Sequence, residues 1–279
     1  MTLLALLGLA SGCSTLVDVK PVQCEADADC ERLGSQFTGT SCVAGLCISP
    51  DDGEGGSGGT APSPFECVDP ESVEGDSIIY TFTVKYATPP SEPVPSIMKA
   101  CERLDVLCNA PVAVAENVVA GELVDLALPV GFAGYFQIEN PHTLTALHFL
   151  GRPLLADTRG WDLTIADDLT VAGLGIATDT TIDPEQGAMI VIARDCDALP
   201  LESATFTNSA GGVQFYIVNN FPTPEATATT EQGSGGFVNV PIGTTIVSAS
   251  HESGAELTAT SAVIRPLGEG WVSYLEIFP

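Results

Sequence analysis

From Ile79 to Tyr86 apolar and polar side chains alternate, with Tyr80, Phe82, Val84 and Tyr86 on one side and Thr81, Thr83 and Lys85 on the other. Successive side chains of a strand point to opposite faces, so this run predicts a β-strand with one buried face. Similar short runs, alternating or rich in β-branched and aromatic residues, recur at 96–101, 123–128, 134–139, 145–150, 188–194, 213–218, 236–240, 244–250, 256–264 and 270–277. Gly, Pro and Asn fall between them. Short strands punctuated by turn residues at this spacing predict an all-β chain built from sandwiches.

One segment has another period. Thr164 stands where an N-cap belongs, Asp167 and Asp168 fall in a first turn where carboxylates complement the helix dipole, and Gly173 lies near the end. A single short helix starting at Ile165 is predicted. The stretch Asp183-Pro-Glu-Gln-Gly187 reads as a turn. It sets the boundary between a first sandwich with a helical insertion, 65–187, and a second, 188–279.

Composition agrees, with 45% hydrophobic and 16% charged residues, 28 Gly and 20 Pro. Against 36 acidic residues stand 9 basic ones, a net charge of -27. That sign repels phosphate backbones and argues against a nucleic-acid partner.

The uncharged apolar run Leu3–Leu9 has the length of a signal-peptide core, far short of the roughly 20 residues of a membrane span. Directly after it, Leu9-Ala10-Ser11-Gly12-Cys13 resembles a bacterial lipobox, with Ala10 at position −3 where Leu is commoner and no Lys or Arg before the run. The resemblance implies that 1–12 is a lipoprotein signal peptide, that Cys13 is lipidated, and that 13–23 is a tether. The partner is then a membrane, held through the lipid on Cys13, and acyl chains at about 0.8 kcal/mol per buried methylene make such an anchor stable. Ser14 follows the cysteine, which favours an outer-membrane or cell-surface location in the cell envelope. The alternative is an ordinary cleaved signal in which Cys13 has no part.

Eight further cysteines, Cys24, Cys30, Cys42, Cys47, Cys67, Cys101, Cys108 and Cys196, make an even set in an exported chain, which predicts disulfides. The spacings are not paired C-x-x-C and no His lies near the first four, so zinc is not predicted. Residues 24–50 hold too few apolar side chains for a core and fold only as a stapled, cysteine-rich module. Spacing leaves its pairing order open. Residues 51–64, rich in Gly, Ser and Pro, form a flexible linker. Cys101 and Cys108 flank one short loop and are expected to pair there, and Cys67 with Cys196 would tie the start of the first sandwich to that of the second.

Gly121-Glu-Leu-Val-Asp-Leu-Ala-Leu-Pro-Val-Gly131 echoes Gly236-Phe-Val-Asn-Val-Pro-Ile-Gly243, each a strand ending in Pro-x-Gly. The longer stretch from Ala226 to Ala249 resembles the signature of carboxypeptidase regulatory-like domains. This implies transthyretin-like, Greek-key sandwiches in tandem that present binding surfaces and carry no catalytic residues. The cysteine pattern of 24–47 resembles modules near the N-termini of exported myxobacterial proteins, and the whole chain resembles a myxobacterial-type surface lipoprotein.

No catalytic, cofactor or metal residues are predicted. The histidines are His142, His148 and His251. His148 with Asp157, beside the irregular segment 152–187, is the nucleus of the alternative reading, a hydrolytic enzyme or enzyme accessory with a cleft in the first domain. No G-x-S-x-G elbow accompanies it. Asp167 and Asp168 are adjacent, about 100° apart on a helix, which suits a helix start better than paired acid-base work. Neither Asp27 with Asp29 nor Asp179 with Asp183 matches a calcium loop. Lys85 falls on a polar strand face, leaving Lys99 as the one lysine suited to an intramolecular crosslink. The preferred reading is a non-catalytic binding or structural module for protein or glycan. A concave group of Trp161 or Trp271 with Tyr135 would mark a glycan site.

Overall fold

The computed structural model describes residue 26, residues 41–43, 46–48, 65 and 67, and residues 75–90 and 94–279. The expected signal peptide, Cys13, the expected tether, Cys24, Cys30 and the expected linker 51–64 lie outside these residues, as do the side chains of Cys42 and Cys47. The chain divides into two units, 1–61 and 62–279. In the first, β1 (Ser41–Val43) and β2 (Leu46–Ile48) form an antiparallel hairpin with Cys42 opposite Cys47 in register.

Among its described residues the second unit is all-β apart from one α-helix and one 3₁₀ turn. Its elements in chain order are β3 (Ser77–Tyr86), β4 (Ser96–Cys101), β5 (Ala113–Val118), β6 (Val124–Pro129), β7 (Tyr135–Glu139), β8 (Thr145–Phe149), β9 (Thr158–Ile165) and α1 (Asp168–Ala177). There follow β10 (Gly187–Ala193), β11 (Ala204–Asn208), β12 (Val213–Val218), β13 (Phe221–Thr223), β14 (Ser234–Val240), β15 (Gly243–His251), β16 (Glu256–Ile264) and β17 (Trp271–Ile277).

A nine-stranded sheet runs through the middle in the order β13-β12-β14-β10-β17-β8-β7-β4-β5. Strand β17 pairs in parallel with β10 on one side and β8 on the other, and the remaining pairs of this sheet are antiparallel. Alternation divides the sheet's side chains between two cores. Met98, Phe136, Ile138, Ala146 and Val272 face one way, packing on Tyr80, Phe82 and Val84 of β3, Leu126 of β6, Leu163 of β9 and Val171 of α1. Tyr135, Leu147, Met189, Val191 and Leu275 face the other way, onto Phe206 of β11, Val247 of β15 and Ala262 of β16. The three-stranded sheets β6-β3-β9 and β11-β15-β16 therefore cover opposite faces of the central sheet. The period-two pattern predicted for β3 is realised, with Ile78, Tyr80, Phe82 and Val84 buried to 1% exposure or less.

This arrangement modifies two expectations. The boundary at 187/188 does not separate two independent sheets, because strands from both stretches share the central sheet and only the outer sheets are private to each. The physical reason is β17, whose two parallel ladders join the halves edge to edge. The Pro-x-Gly echo is also not a repeated position. Strand β6 lies in an outer sheet and the chain then enters β7 of the central one, whereas β14 lies in the central sheet and leads to β15 of an outer one. A local turn signal specifies the reversal of the chain and not the layer in which it occurs.

Cys67 is bonded to Cys196, and Cys101 to Cys108. The loop closed by the latter is tied to the rest of the unit by Arg103, whose Nε donates to the Ala133 carbonyl at 3.0 Å and whose Nη1 donates to the Ser261 carbonyl at 3.2 Å.

Candidate binding site

Helix α1 lies on the same face of the central sheet as the outer sheet β6-β3-β9 and reaches β13 of the β12–β13 hairpin. Between β9, α1 and that hairpin lies a cavity of about 630 Å³, open on one side like a trough. Its walls are built locally. Helix α1 starts at Asp168, capped by Asp167, whose Oδ1 accepts from the Thr170 N–H at 2.8 Å and from the Thr170 hydroxyl at 2.6 Å. The expected start at Ile165 is thus three residues early. Ile165 ends β9 in a parallel ladder with Tyr86 and is fully buried, and Thr164 belongs to the same strand. Strand pairing prevails over the local cap signal. The helix turns Val171 and Leu174 to the core, and Phe221, 72% exposed, forms the opposite lip.

The floor carries Ile190 and Ile192 of β10, Ile217 of β12, Ser234 of β14, Val272, Tyr274 and Glu276 of β17, and His148 of β8. His148 is opposite Tyr274 in register, and their rings stack with centroids 4.4 Å apart and planes 6° apart. The Nε2–H donates to the Thr164 carbonyl at 2.8 Å, which leaves Nδ1 without the proton in the neutral ring. Burial pushes the imidazole down to about 4, partly offset by the hydrogen bond to Thr164. A base with a folded-state value below its unfolded one is uncharged when folded. As pH falls below about 6.5 the unfolded chain takes the proton first, so stability is lost down to about pH 4. Between pH 7 and pH 4 the wild type is expected to lose about 3 kcal/mol more than His148→Gln, measured by urea unfolding at each pH. Parallel pH curves for the two proteins would refute this assignment.

Glu276 is buried against Arg194, Nε to Oε1 at 2.7 Å, with the two side chains 15% and 16% exposed. Arg194 also donates through Nη1 to the Ala198 carbonyl at 2.8 Å, and its guanidinium lies 4.8 Å from the Trp161 ring centre. Burial outweighs the guanidinium and holds the Glu276 carboxyl above its usual range. At the rim Asp162 accepts from Lys85 at 2.6 Å and from the Thr83 hydroxyl at 2.5 Å. Two tyrosines line the trough differently: Tyr80 and Tyr274 are 0% and 4% exposed, and neither hydroxyl bonds another described residue. Burial raises both phenols above their usual range, and for Tyr80 the nearby Glu276 adds to the effect.

The residues singled out in the sequence are only partly gathered here. His148 is in the trough, but Asp157 is not beside it. The Asp157 carboxylate accepts from the Ile79 N–H at 2.8 Å and lines a separate depression with Ile79, Thr81 and Leu123. His142 is exposed, and His251 Nδ1 is 2.9 Å from the hydroxyl of Ser253 within one turn. The three aromatics of the expected glycan patch do not form one. Tyr135 is buried with its hydroxyl donating to the Asp105 carbonyl at 2.6 Å, Trp161 packs on Tyr80 and Phe278 over one face of the central sheet, and Trp271 packs toward the other core beneath Arg265. Lys85 pairs with Asp162 and Lys99 with Glu139. Among the described residues no group of three or more His, Cys, Asp or Glu is placed to hold a metal ion. The sequence reading passed over Arg194, Tyr274 and Glu276. Their signal was a charge set beside fully apolar neighbours, in Leu275-Glu276-Ile277 and after Ala193.

No protein-family model matches the sequence, and no curated protein is similar to it. Among solved structures, the shaft pilin SpaA of Lactobacillus rhamnosus GG is 12% identical, with 73% of this chain and 96% of that one covered and a TM-score of 0.22. The minor pilin GBS52 of Streptococcus agalactiae is 13% identical over 72% of this chain and 95% of that one, with a TM-score of 0.23. A streptococcal ancillary pilin is 9% identical over 73% and 69%, with a TM-score of 0.22. Likeness at this level carries no functional argument.

Proposed function

We propose that the chain is an extracytoplasmic, lipid-anchored binding module without catalysis, held to a membrane through Cys13 and taking its ligand in the trough. The observation that carries the binding part is the trough itself, a concave site of ligand size on a rigid sheet, with an apolar floor and few polar groups. Its ionisable side chains serve structural contacts: His148 holds the Thr164 carbonyl, Glu276 holds Arg194, and Asp162 holds Lys85. Among the described residues none of the three bonds a serine or cysteine, which favours binding over the alternative of hydrolysis. The anchor is supported by the apolar run before Cys13 and the small residues that precede it.

The test is mass spectrometry of the full chain purified from the membranes of the cells that make it. Denatured intact mass is expected to fit loss of 1–12 plus a diacylglycerol, and Cys13→Ala is expected to leave the membrane fraction. Under native spray the protein is expected to keep a small-molecule adduct that is lost in Ile192→Trp, where the indole fills the floor. An unmodified mass removes the anchor, and an adduct indifferent to Ile192→Trp removes the trough as the binding site.

A further inference from the structure

The walls of the trough restrict what it can hold. Half-buried Ile190, Ile192 and Ile217 and the exposed Phe221 offer apolar surface that gains from being covered. A sugar brings many hydroxyls, each needing a partner, but on the floor Glu276 and the His148 Nε2–H are already engaged by protein groups, few polar atoms are left for it, and the Trp161 ring is covered by Arg194. An anion meets Glu276 below, Asp162 at the rim and a net charge of -27 around it. Two guanidiniums act on Glu276, and both are engaged: Arg194 by Glu276 and the Ala198 carbonyl, and Arg152 by the Phe278 ring and the Cys196 carbonyl. A cation finds both carboxylates paired, Glu276 with Arg194 and Asp162 with Lys85. What remains unmatched is uncharged: the buried Tyr80 hydroxyl, and the hydroxyls of Tyr274 and Ser234 and Nδ1 of His148, none of which bonds a described residue; Tyr80 and Tyr274 are each at least nine-tenths buried. A buried hydroxyl without a partner is costly, and a ligand oxygen or nitrogen that bonds to it recovers that cost.

The geometry points to a neutral, elongated, mainly apolar molecule carrying a single hydroxyl or amide, a lipid-like alcohol or amide, with its chain on the isoleucine floor and its head against the tyrosine hydroxyls. This rests on the reading of the trough as a binding site and adds the class of ligand.

The experiment uses the full chain and the neutral dye N-phenyl-1-naphthylamine, whose fluorescence rises in apolar surroundings. The wild type is expected to light the dye. Ile192→Trp and Ala177→Trp, which fill the trough from floor and rim, are expected not to, with near-ultraviolet circular dichroism confirming that each is folded. In competition, 1-dodecanol is expected to displace the dye at concentrations about tenfold below those needed for dodecanoate or dodecyltrimethylammonium, and maltose not at all. Tyr80→Phe with Tyr274→Phe is expected to weaken dodecanol about tenfold more than it weakens the dye. If dodecanoate, the quaternary amine or maltose competes better than dodecanol, the neutral-ligand inference fails while the trough remains a binding site. If the dye lights equally in wild type and in folded filled variants, the binding reading fails with it.

Discussion

Arg194→Met is expected to lower the free energy of unfolding by about 3–5 kcal/mol at pH 7.5, because it leaves the buried Glu276 carboxylate without the guanidinium bonded to it and with only the more distant Arg152 to balance its charge. Both side chains are more than four-fifths buried, so water cannot replace the guanidinium without opening the floor of the trough. The loss should shrink as pH falls. Burial already holds Glu276 above its usual range, and removing the cation raises it further. A carboxyl whose folded-state value is raised gives stability that is present at low pH and lost as pH rises, so the variant should recover toward pH 5. Urea unfolding at the two pH values checks this. Pairing the change with Glu276→Gln should restore much of the loss, since both charges are then gone. A loss that is equal at both pH values, or doubles that simply add, would sink the account.

Breaking the Cys67–Cys196 link with a double Cys→Ser change is expected to cost about 5 kcal/mol, roughly twice the cost of breaking Cys101–Cys108. The bonded residues are separated by 129 positions in the first case and 7 in the second, and the chain entropy removed from the unfolded state grows with the logarithm of the loop. The long link also holds Phe65 near His251, with ring centres 4.8 Å apart. Denaturant titration of the two double variants under oxidising conditions measures the ratio. A larger effect for the short loop would mean that local packing around Cys101 and Arg103 matters more than loop closure.

Strands with strong patterns were legible residue by residue. The runs expected at 96–101, 213–218 and 256–264 coincide with β4, β12 and β16. Those missed are polar or short: Ala204–Asn208 alternates with Thr and Asn, Ala113–Val118 is an edge strand carrying Glu and Asn, and Thr158–Ile165 contains Arg, Gly and Asp. Strand β9 was missed because its partner, β3, lies some 80 residues earlier and pairs in parallel, a contact with no local turn to announce it. That omission also moved the helix start forward. The trough was hidden for the same reason. Its floor is drawn from separate strands, and its ion pair joins residues 82 apart, so no window of sequence contains it.

The place of β17 bears on when this protein can fold. Its neighbours β8 and β10 are both made before it, and neither pairs with the other. A chain released N-terminus first therefore carries two open half-sheets until residues 271–277 arrive, and the joining contacts are distant in sequence and slow to form. On the proposed reading of a chain exported unfolded, the central sheet stays in two pieces until residues 271–277 have crossed.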